Sequence, residues 1–201
     1  MNKKQRILSL TVAAVAVLLA AVLASAAARP APAAQPPAVK RVSWSEKVAR
    51  GKYLVTVGGC NDCHTPWIQQ PDGTMGPDTS RTLSGHPHDI KITSPMQLKS
   101  DRFNVAWSST NTAFSGPWGV SFTANLTPDV HTGTGIWTFD IFKNTIRNGR
   151  HWGVARPLLP PMPWFNYAKM TDEDLAAIYA YTRTLKPISN KVPDPIPPAA
   201  N

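Results

Sequence analysis

Both cysteines of the 201-residue chain lie in one short stretch, "VGGCNDCHTPW", which runs from Val57 to Trp67. Cys60 and Cys63 are separated by two residues, and His64 follows directly. A structural zinc site usually has four ligands in two pairs, and this stretch supplies three. A thioredoxin-like redox pair lies within a βαβ pattern, which the sequence does not contain. A disulfide is common in exported proteins, but it would leave His64 without a role.

Covalent haem attachment is the interpretation that uses all three side chains. The spacing of Cys60 and Cys63 matches the separation of the two haem vinyl groups, with which the cysteines form thioethers. His64 is then placed to bind the iron from one face of the ring. We therefore predict one covalent haem c, with its iron, at this motif. Zinc, a redox pair and a disulfide remain the alternatives.

A helix is predicted directly before the motif. Ser43 and Glu46 fit a capping box, with Ser43 as the N-cap. Apolar or small residues follow at helical spacing, and Gly58 and Gly59 end the pattern immediately before Cys60.

Two further helices are predicted late in the chain. One runs from about Thr138 to Asn148, with apolar residues on one face and Gly149 as a stop. The other starts at Thr171, has three acidic residues in its first turn and ends before Pro187. The first and last helices are expected to cross, with Gly51 allowing a close approach to Ile178 or Tyr181.

The stretch from Thr65 to Asn125 shows no sustained periodicity. It is rich in Gly, Pro, Ser, Thr and Asp, with isolated Trp and Phe residues. This length is unusual for a plain loop in a compact domain. We expect short strands or a small helix here, in positions that the pattern does not define.

The motif resembles that of a known protein family. Gly51–His64, the late "PMP" loop and the terminal helix are similar to class I c-type cytochromes. Residues 122–153 and 158–188 are more narrowly similar to cytochrome subunits that accept electrons from exported alcohol, aldehyde and related dehydrogenases. Those subunits often carry several haem domains, whereas this chain has one CxxCH motif. The resemblance implies an all-α cytochrome c fold, with three core helices around one haem and a long irregular insertion between the haem-attachment motif and the second core helix.

A methionine is the candidate for the second axial ligand. Met162 lies in "RPLLPPMPWF", where prolines fix φ and remove backbone donors, so the loop is rigid and cannot become helix. Class I cytochromes carry their axial methionine in such a loop before the terminal helix, so the resemblance implies that Met162 and His64 bind the iron. Met170 fits a hydrophobic staple with Leu175. Histidine is the competing ligand type, at His86, His88, His131 and His151.

The haem needs an apolar pocket. The candidates for its wall are Tyr53, Leu54, Ile136, Trp137, Phe142, Ile146, Leu158 and Trp164. Asn125 and Trp137 carry N–H donors that suit haem propionates.

These features predict an electron-transfer protein that is not an enzyme. The sequence shows no paired carboxylates at catalytic spacing and no Gly-rich phosphate loop. The resemblance implies electron transfer from an exported dehydrogenase to the respiratory chain, through an oxidase or another cytochrome. The alternative is a haem enzyme or gas sensor with an open sixth position, in which Met162 does not bind iron. A haem-free exported binding module is a third hypothesis.

The first residues carry an export signal. Lys3, Lys4 and Arg6 precede the apolar run Ile7–Ala24, and Ala24-Ser25-Ala26 resembles a cleavage site. We predict a signal peptide over residues 1–26, with a retained membrane anchor as the alternative and the sole membrane contact. The protein is then periplasmic.

The remaining chain divides by composition. Residues 27–41 form a Pro/Ala-rich linker, residues 42–190 the cytochrome c domain, and residues 191–201 a Pro-rich tail of similar character.

Positive charge suggests a protein partner. The chain has 21 Lys+Arg against 12 Asp+Glu, a formal net charge of +9. No basic run is interleaved with aromatic residues, so no nucleic-acid partner is expected. Four basic residues lie within and just after the second helix, with no acid between Ile141 and Lys169, namely Lys143, Arg147, Arg150 and Arg156. They predict either a docking face for an acidic partner or a solvated surface.

Overall fold

A computed structural model describes residues 42–96 and 102–198, together with the single residue Asn2. Apart from Asn2, the predicted signal or anchor over residues 1–26 and the linker over residues 27–41 lie outside this part of the chain. No helix within the described part is long and apolar enough to cross a membrane.

Five α-helices and five short strands are present in the described residues, with single 3₁₀ turns at Thr79–Arg81 and His151–Gly153. The helices are α1 (Trp44–Val57), α2 (Cys60–His64), α3 (Phe139–Asn148), α4 (Trp164–Tyr167) and α5 (Asp172–Thr182). The strands are β1 (Trp67–Gln69), β2 (Met75–Pro77), β3 (Ala106–Trp107), β4 (Ala113–Gly116) and β5 (Gly119–Phe122).

The insertion between the motif and α3 holds all of these strands. β1 and β2 form an antiparallel hairpin, and β3, β4 and β5 form an antiparallel sheet in which Phe114 is opposite Ser121. The all-α prediction is therefore corrected to a mostly helical fold with two small sheets. The insertion lacks a helical period, and its backbone groups find partners across short hairpins instead.

The N-cap residues confirm where the three predicted helices begin. The Ser43 hydroxyl accepts from the Glu46 N–H at 3.2 Å, and the Glu46 carboxylate accepts from the Ser43 N–H at 2.8 Å. Thr138 caps α3 and Thr171 caps α5 through their hydroxyl oxygens alone. These accept from the N–H groups of Ile141 and Asp174, at 3.2 and 3.1 Å. These local bonds satisfy N–H groups that the helices leave unpaired.

Helices α1 and α5 cross in direct backbone contact. A Cβ placed at Gly51 would overlap the Ala177 carbonyl and lie 2.8 Å from the Tyr181 Cβ. The expected approach of Gly51 to the last helix is confirmed for Tyr181, with Ala177 rather than Ile178 as the backbone neighbour. The main hydrophobic core surrounds this crossing, with Leu54, Val55, Leu83, Trp137, Phe142, Leu175, Ala177 and Ile178 buried.

The proline-rich tail packs on the insertion. Val120 and Ile196 exchange two backbone hydrogen bonds, at 2.8 and 3.0 Å, and both side chains join a second small core with Phe122. Asn190 is completely buried just before the tail, and its Nδ2 donates to the carbonyls of Ser84 and His86 at 2.7 and 2.9 Å. Residues 190–196 therefore close over the insertion, whereas their composition predicted a linker-like segment.

Replacing Gly51 by alanine should destabilise the protein. Alanine favours a helix interior over glycine by about 1 kcal/mol, but here its Cβ must displace the Ala177 backbone. Overpacking of this kind typically costs about 1–3 kcal/mol, so we expect a net loss in the free energy of unfolding, measured by denaturant titration. Lys52→Ala, at an exposed neighbour on α1, serves as the control. A Gly51→Ala variant more stable than the wild type would contradict the close helix crossing.

Candidate functional site

The predicted haem residues lie on one pocket. The pocket opens between the helices and the insertion, and its volume is about 1380 Å³ when its open mouth is included. Cys60, Cys63, His64 and Met162 all line it, although Met162 is about one hundred residues from the motif.

The short helix α2 presents both thiols and the imidazole to the pocket, while Asp62 between them is exposed. Burial raises the pKa of the Cys60 thiol to about 11, and burial also raises that of Cys63. Redox-active cysteines have lowered pKa values, so this environment disfavours a thioredoxin-like pair. Among the described residues, no group of three or more His, Cys, Asp and Glu side chains is arranged to hold a metal ion, so the zinc interpretation lacks its ligands there.

A backbone carbonyl fixes the orientation of His64. The His64 Nδ1 lies 2.8 Å from the Ala124 carbonyl oxygen. Because a carbonyl only accepts, Nδ1 carries the proton and Nε2 keeps a free lone pair, as a metal-binding histidine requires. Burial lowers the pKa of His64, although the bond to Ala124 acts in the opposite direction. The imidazole is therefore neutral at pH 7.

The insertion supports the carbonyl that holds His64. Gly85 donates its N–H to the His64 carbonyl at 2.8 Å, and His86 donates its N–H to the Thr123 carbonyl at 3.0 Å. Gly85 has a φ of 75°, and a Cβ there would collide with the Ala124 backbone, so only glycine fits without strain. The segment around Gly85 thus lies between the motif and Ala124, and its contacts fix the position of one relative to the other.

The other histidines have structural contacts or lie outside the pocket. His86 is buried, with Nδ1 2.9 Å from the Thr112 hydroxyl and Nε2 3.0 Å from the Ile90 carbonyl. His88 Nδ1 lies 3.1 Å from the Asn190 side-chain oxygen. His131 is exposed and does not line the pocket, whereas His151 does. Of the competing histidine ligands, only His151 is therefore near the site.

Two of the methionines line the pocket. Met162 lies there with its flanking prolines, and Met170 lies nearby while also packing against the main core. Met75 and Met96 are exposed and lie elsewhere. Among the described residues, Met162 and Met170 are therefore the two methionines that remain candidates for an axial ligand.

Two side chains that the sequence analysis did not select hold the Met162 loop. The Ser121 hydroxyl, on β5, donates to the Pro160 carbonyl at 2.5 Å. The Tyr167 hydroxyl, on α4, donates to the Gly58 carbonyl at 2.6 Å, two residues before Cys60. Tyr167 thus ties the segment after Met162 to the segment before the motif. No local pattern marks either residue, since both contacts join distant parts of the chain.

The predicted pocket wall is partly correct. Trp137, Phe142, Ile146 and Leu158 line the pocket. Tyr53 and Ile136 are instead 57% and 59% exposed, and Val55 takes the place predicted for Leu54. Trp164 packs on Gly149, and the Asn125 amide donates to the Ile188 carbonyl at 2.8 Å rather than facing the pocket.

The residues present fit a covalently held haem. Two thiols at vinyl spacing, an imidazole with a free Nε2 and a thioether lie on the wall of a mainly apolar pocket. Imidazole with thioether is an established axial pair for haem iron in cytochromes c.

Several curated relatives of the chain are cytochrome subunits of dehydrogenases. The gluconate 2-dehydrogenase cytochrome c subunit of Pantoea cypripedii is 30% identical over 137 residues, which cover 67% of this chain and 22% of the relative. The fructose dehydrogenase cytochrome subunit of Gluconobacter japonicus is 28% identical over 147 residues, 73% of this chain and 23% of the relative. The alcohol dehydrogenase (quinone) cytochrome c subunit of Gluconobacter oxydans is 27% identical over 150 residues, 73% of this chain and 24% of the relative.

The chain thus spans less than a quarter of the length of these three relatives. No protein-family model matches it. The similarity to cytochrome subunits supports a cytochrome c-type electron-transfer subunit.

Removal of the Tyr167 hydroxyl should loosen the link between the two halves of the site. Tyr167→Phe keeps the ring but loses the bond to the Gly58 carbonyl, so we expect the free energy of unfolding to fall by about 1 kcal/mol. Denaturant unfolding of the two proteins measures the difference. Tyr53→Phe is the matched control, because Tyr53 is exposed on α1. An equal, negligible effect of both substitutions would show that the Tyr167 bond contributes nothing.

Proposed function

We propose that this chain is an electron-transfer protein with one covalently attached haem c. In this proposal residues 42–190 form a cytochrome c domain, Cys60 and Cys63 hold the haem, and His64 and Met162 bind its iron. The observation that carries the proposal is the bond from His64 Nδ1 to the Ala124 carbonyl, which leaves Nε2 with a free lone pair in a side chain that lines the same pocket as both thiols and Met162.

The chain's own residues tune and hold the group. A bound haem supplies an iron that takes up and releases one electron. The thioether of Met162 favours the reduced iron, because soft sulfur stabilises the ferrous state. The apolar wall excludes water and thereby raises the potential further. No proton transfer is needed, so the site has no acid–base work and the chain acts as a carrier rather than an enzyme.

The partner follows from the relatives. Because several of them are cytochrome subunits of dehydrogenases, we propose an exported dehydrogenase as the electron donor. The acceptor is then a component of the respiratory chain, an oxidase or another cytochrome. This role places the protein in the periplasm, with residues 1–26 as a signal peptide or anchor.

Covalent attachment is tested by haem staining. The wild-type protein from the periplasm should keep its haem stain after denaturing electrophoresis, because thioether bonds survive denaturation. Cys60→Ala combined with Cys63→Ala should lose the stain. A wild-type protein that does not stain would contradict haem attachment and favour a haem-free binding module.

Met162 is tested against Met170. The oxidised wild-type protein should show the weak far-red absorption band of methionine-ligated haem c, and Met162→Ala should abolish it and allow carbon monoxide to bind the reduced protein. Met170→Ala is the control and should keep the band, because Met170 packs in the core next to the N-cap of α5. A wild-type protein that is high-spin and binds carbon monoxide readily would instead support an enzyme or sensor with an open sixth position.

A further inference from the structure

The loop from Arg150 to Pro157, called here the arginine loop, is a small closed hairpin. His151 donates its N–H to the Arg156 carbonyl at 2.9 Å, and Leu158 donates its N–H to the Gly149 carbonyl at 2.8 Å. The Arg150 guanidinium donates to the Ala155 carbonyl across the loop at 2.7 Å. These bonds hold the loop in one conformation, so it presents a preformed surface.

The arginine loop lies where the pocket meets solvent. His151 and Arg156 both line the pocket. Among the described residues that line it, Arg156, Pro160 and Pro161 are the exposed ones. A partner that approaches the pocket through its most accessible wall therefore meets this loop.

An aromatic contact joins the pocket to the outer surface of the loop. Trp137 is buried and lines the pocket, and its ring centroid lies 5.4 Å from that of Trp152. Trp152 is 38% exposed. Its φ is 58°, a conformation that is unfavourable for a bulky side chain and is often found at functional sites. The fold thus holds Trp152 at the surface against a local backbone preference.

Two of the four residues of the basic stretch form ion pairs with Asp172, and the other two do not. Arg147 and Lys143 pair with Asp172, at 2.7 and 3.4 Å, and so lose much of their attraction for a partner. Arg150 and Arg156 form no ion pair within the described residues. Their guanidinium groups donate only to backbone carbonyls of their own loop.

The loop also carries an apolar tip. Val154 lies between the two arginines and is 80% exposed. His151 adds no charge at neutral pH, because burial, assisted by the nearby Arg156, lowers its pKa. The surface is therefore a small apolar contact with an unpaired cation on each side. Its complement is an apolar patch flanked by carboxylates.

We propose that the arginine loop is the docking surface through which an acidic redox protein exchanges electrons with this chain. The proposal rests on the proposed function, because it requires a redox group in the pocket. Electron transfer slows steeply with distance, so a partner must dock next to the pocket. Trp107, which is 69% exposed on β3, lies outside the pocket wall and gives a partner no such proximity.

Reduced flavodoxin, a small acidic redox protein, is the probe for this surface. One electron passes from reduced flavodoxin to the ferric haem-loaded protein, and stopped-flow absorbance gives the second-order rate constant. Free reduced lumiflavin, which is small and has no acidic protein surface, is used in parallel to report access to the haem without docking. Arg150→Glu combined with Arg156→Glu is compared with Lys52→Glu combined with Lys191→Glu, which changes the net charge equally at exposed positions elsewhere.

The arginine variant should react with flavodoxin at least about tenfold more slowly at low salt, since steering contributes roughly 10–10³-fold to association. The difference should shrink as salt is added. The lysine variant should stay within about twofold of the wild type with both electron donors. Arg156 lines the pocket, so the lumiflavin rate of the arginine variant reports any change in access to the haem, and it should fall far less than the flavodoxin rate. Arg150→Gln combined with Arg156→Gln should lie between the wild type and the glutamate variant.

Equal slowing by the arginine and lysine pairs would overturn the proposal, because net charge alone would then explain it. An equal fall in the lumiflavin rate would also overturn it, since the substitutions would have altered the haem site. Either result leaves a haem-loaded wild type and so leaves the proposed function intact. A wild type without covalent haem would instead defeat the proposed function itself.

Discussion

The bond between His64 Nδ1 and the Ala124 carbonyl is the constraint on which the site depends. It decides which ring nitrogen carries the proton, and it leaves the other with a free lone pair in a side chain that lines the pocket. A carbonyl can do this only if its own backbone is held still. Gly85 and His86 provide that support, through bonds to the carbonyls of His64 and Thr123 on either side. The protein thus holds the proposed iron ligand in place with main-chain bonds, which do not change with pH.

The insertion is therefore part of the site. It supplies the support around Gly85, and it also reaches the other side of the pocket, where Ser121 bonds to the Pro160 carbonyl near Met162. The tail stabilises the insertion in turn, because Asn190 satisfies the carbonyls of Ser84 and His86, which are buried where no water competes. The segment with no recognisable pattern thus connects the surroundings of the two proposed iron ligands.

The sequence predicted those features that local chemistry specifies. The N-cap residues of α1, α3 and α5 directly precede their helices in the sequence, and five consecutive residues are enough to recognise the CxxCH motif. The packed tail and the contacts of Tyr167 and Ser121 escaped prediction, because each joins residues far apart in the chain, as with Asn190 and Ser84. The positions of the strands escaped prediction because each strand has only two to four residues, too few to show a clear alternation of apolar and polar side chains. The pocket wall shows the same limit on α1. One helical position separates Val55, which faces the pocket, from the predicted Leu54, and sequence periodicity does not resolve such a rotation.

The attraction of this basic stretch for a partner depends on which of its residues form ion pairs, rather than on how many basic residues it contains. The sequence predicts one cationic surface over the basic stretch from Lys143 to Arg156, but Asp172 at the start of α5 pairs with Lys143 and Arg147. That acid is in the first turn of α5, where the helix dipole also favours it. The same carboxylate therefore stabilises α5, joins it to α3 and leaves Arg150 and Arg156 as the cations of this stretch without an ion pair among the described residues. Because Arg156 lines the pocket, the packing of α5 on α3 leaves the unpaired charge of this stretch next to the pocket.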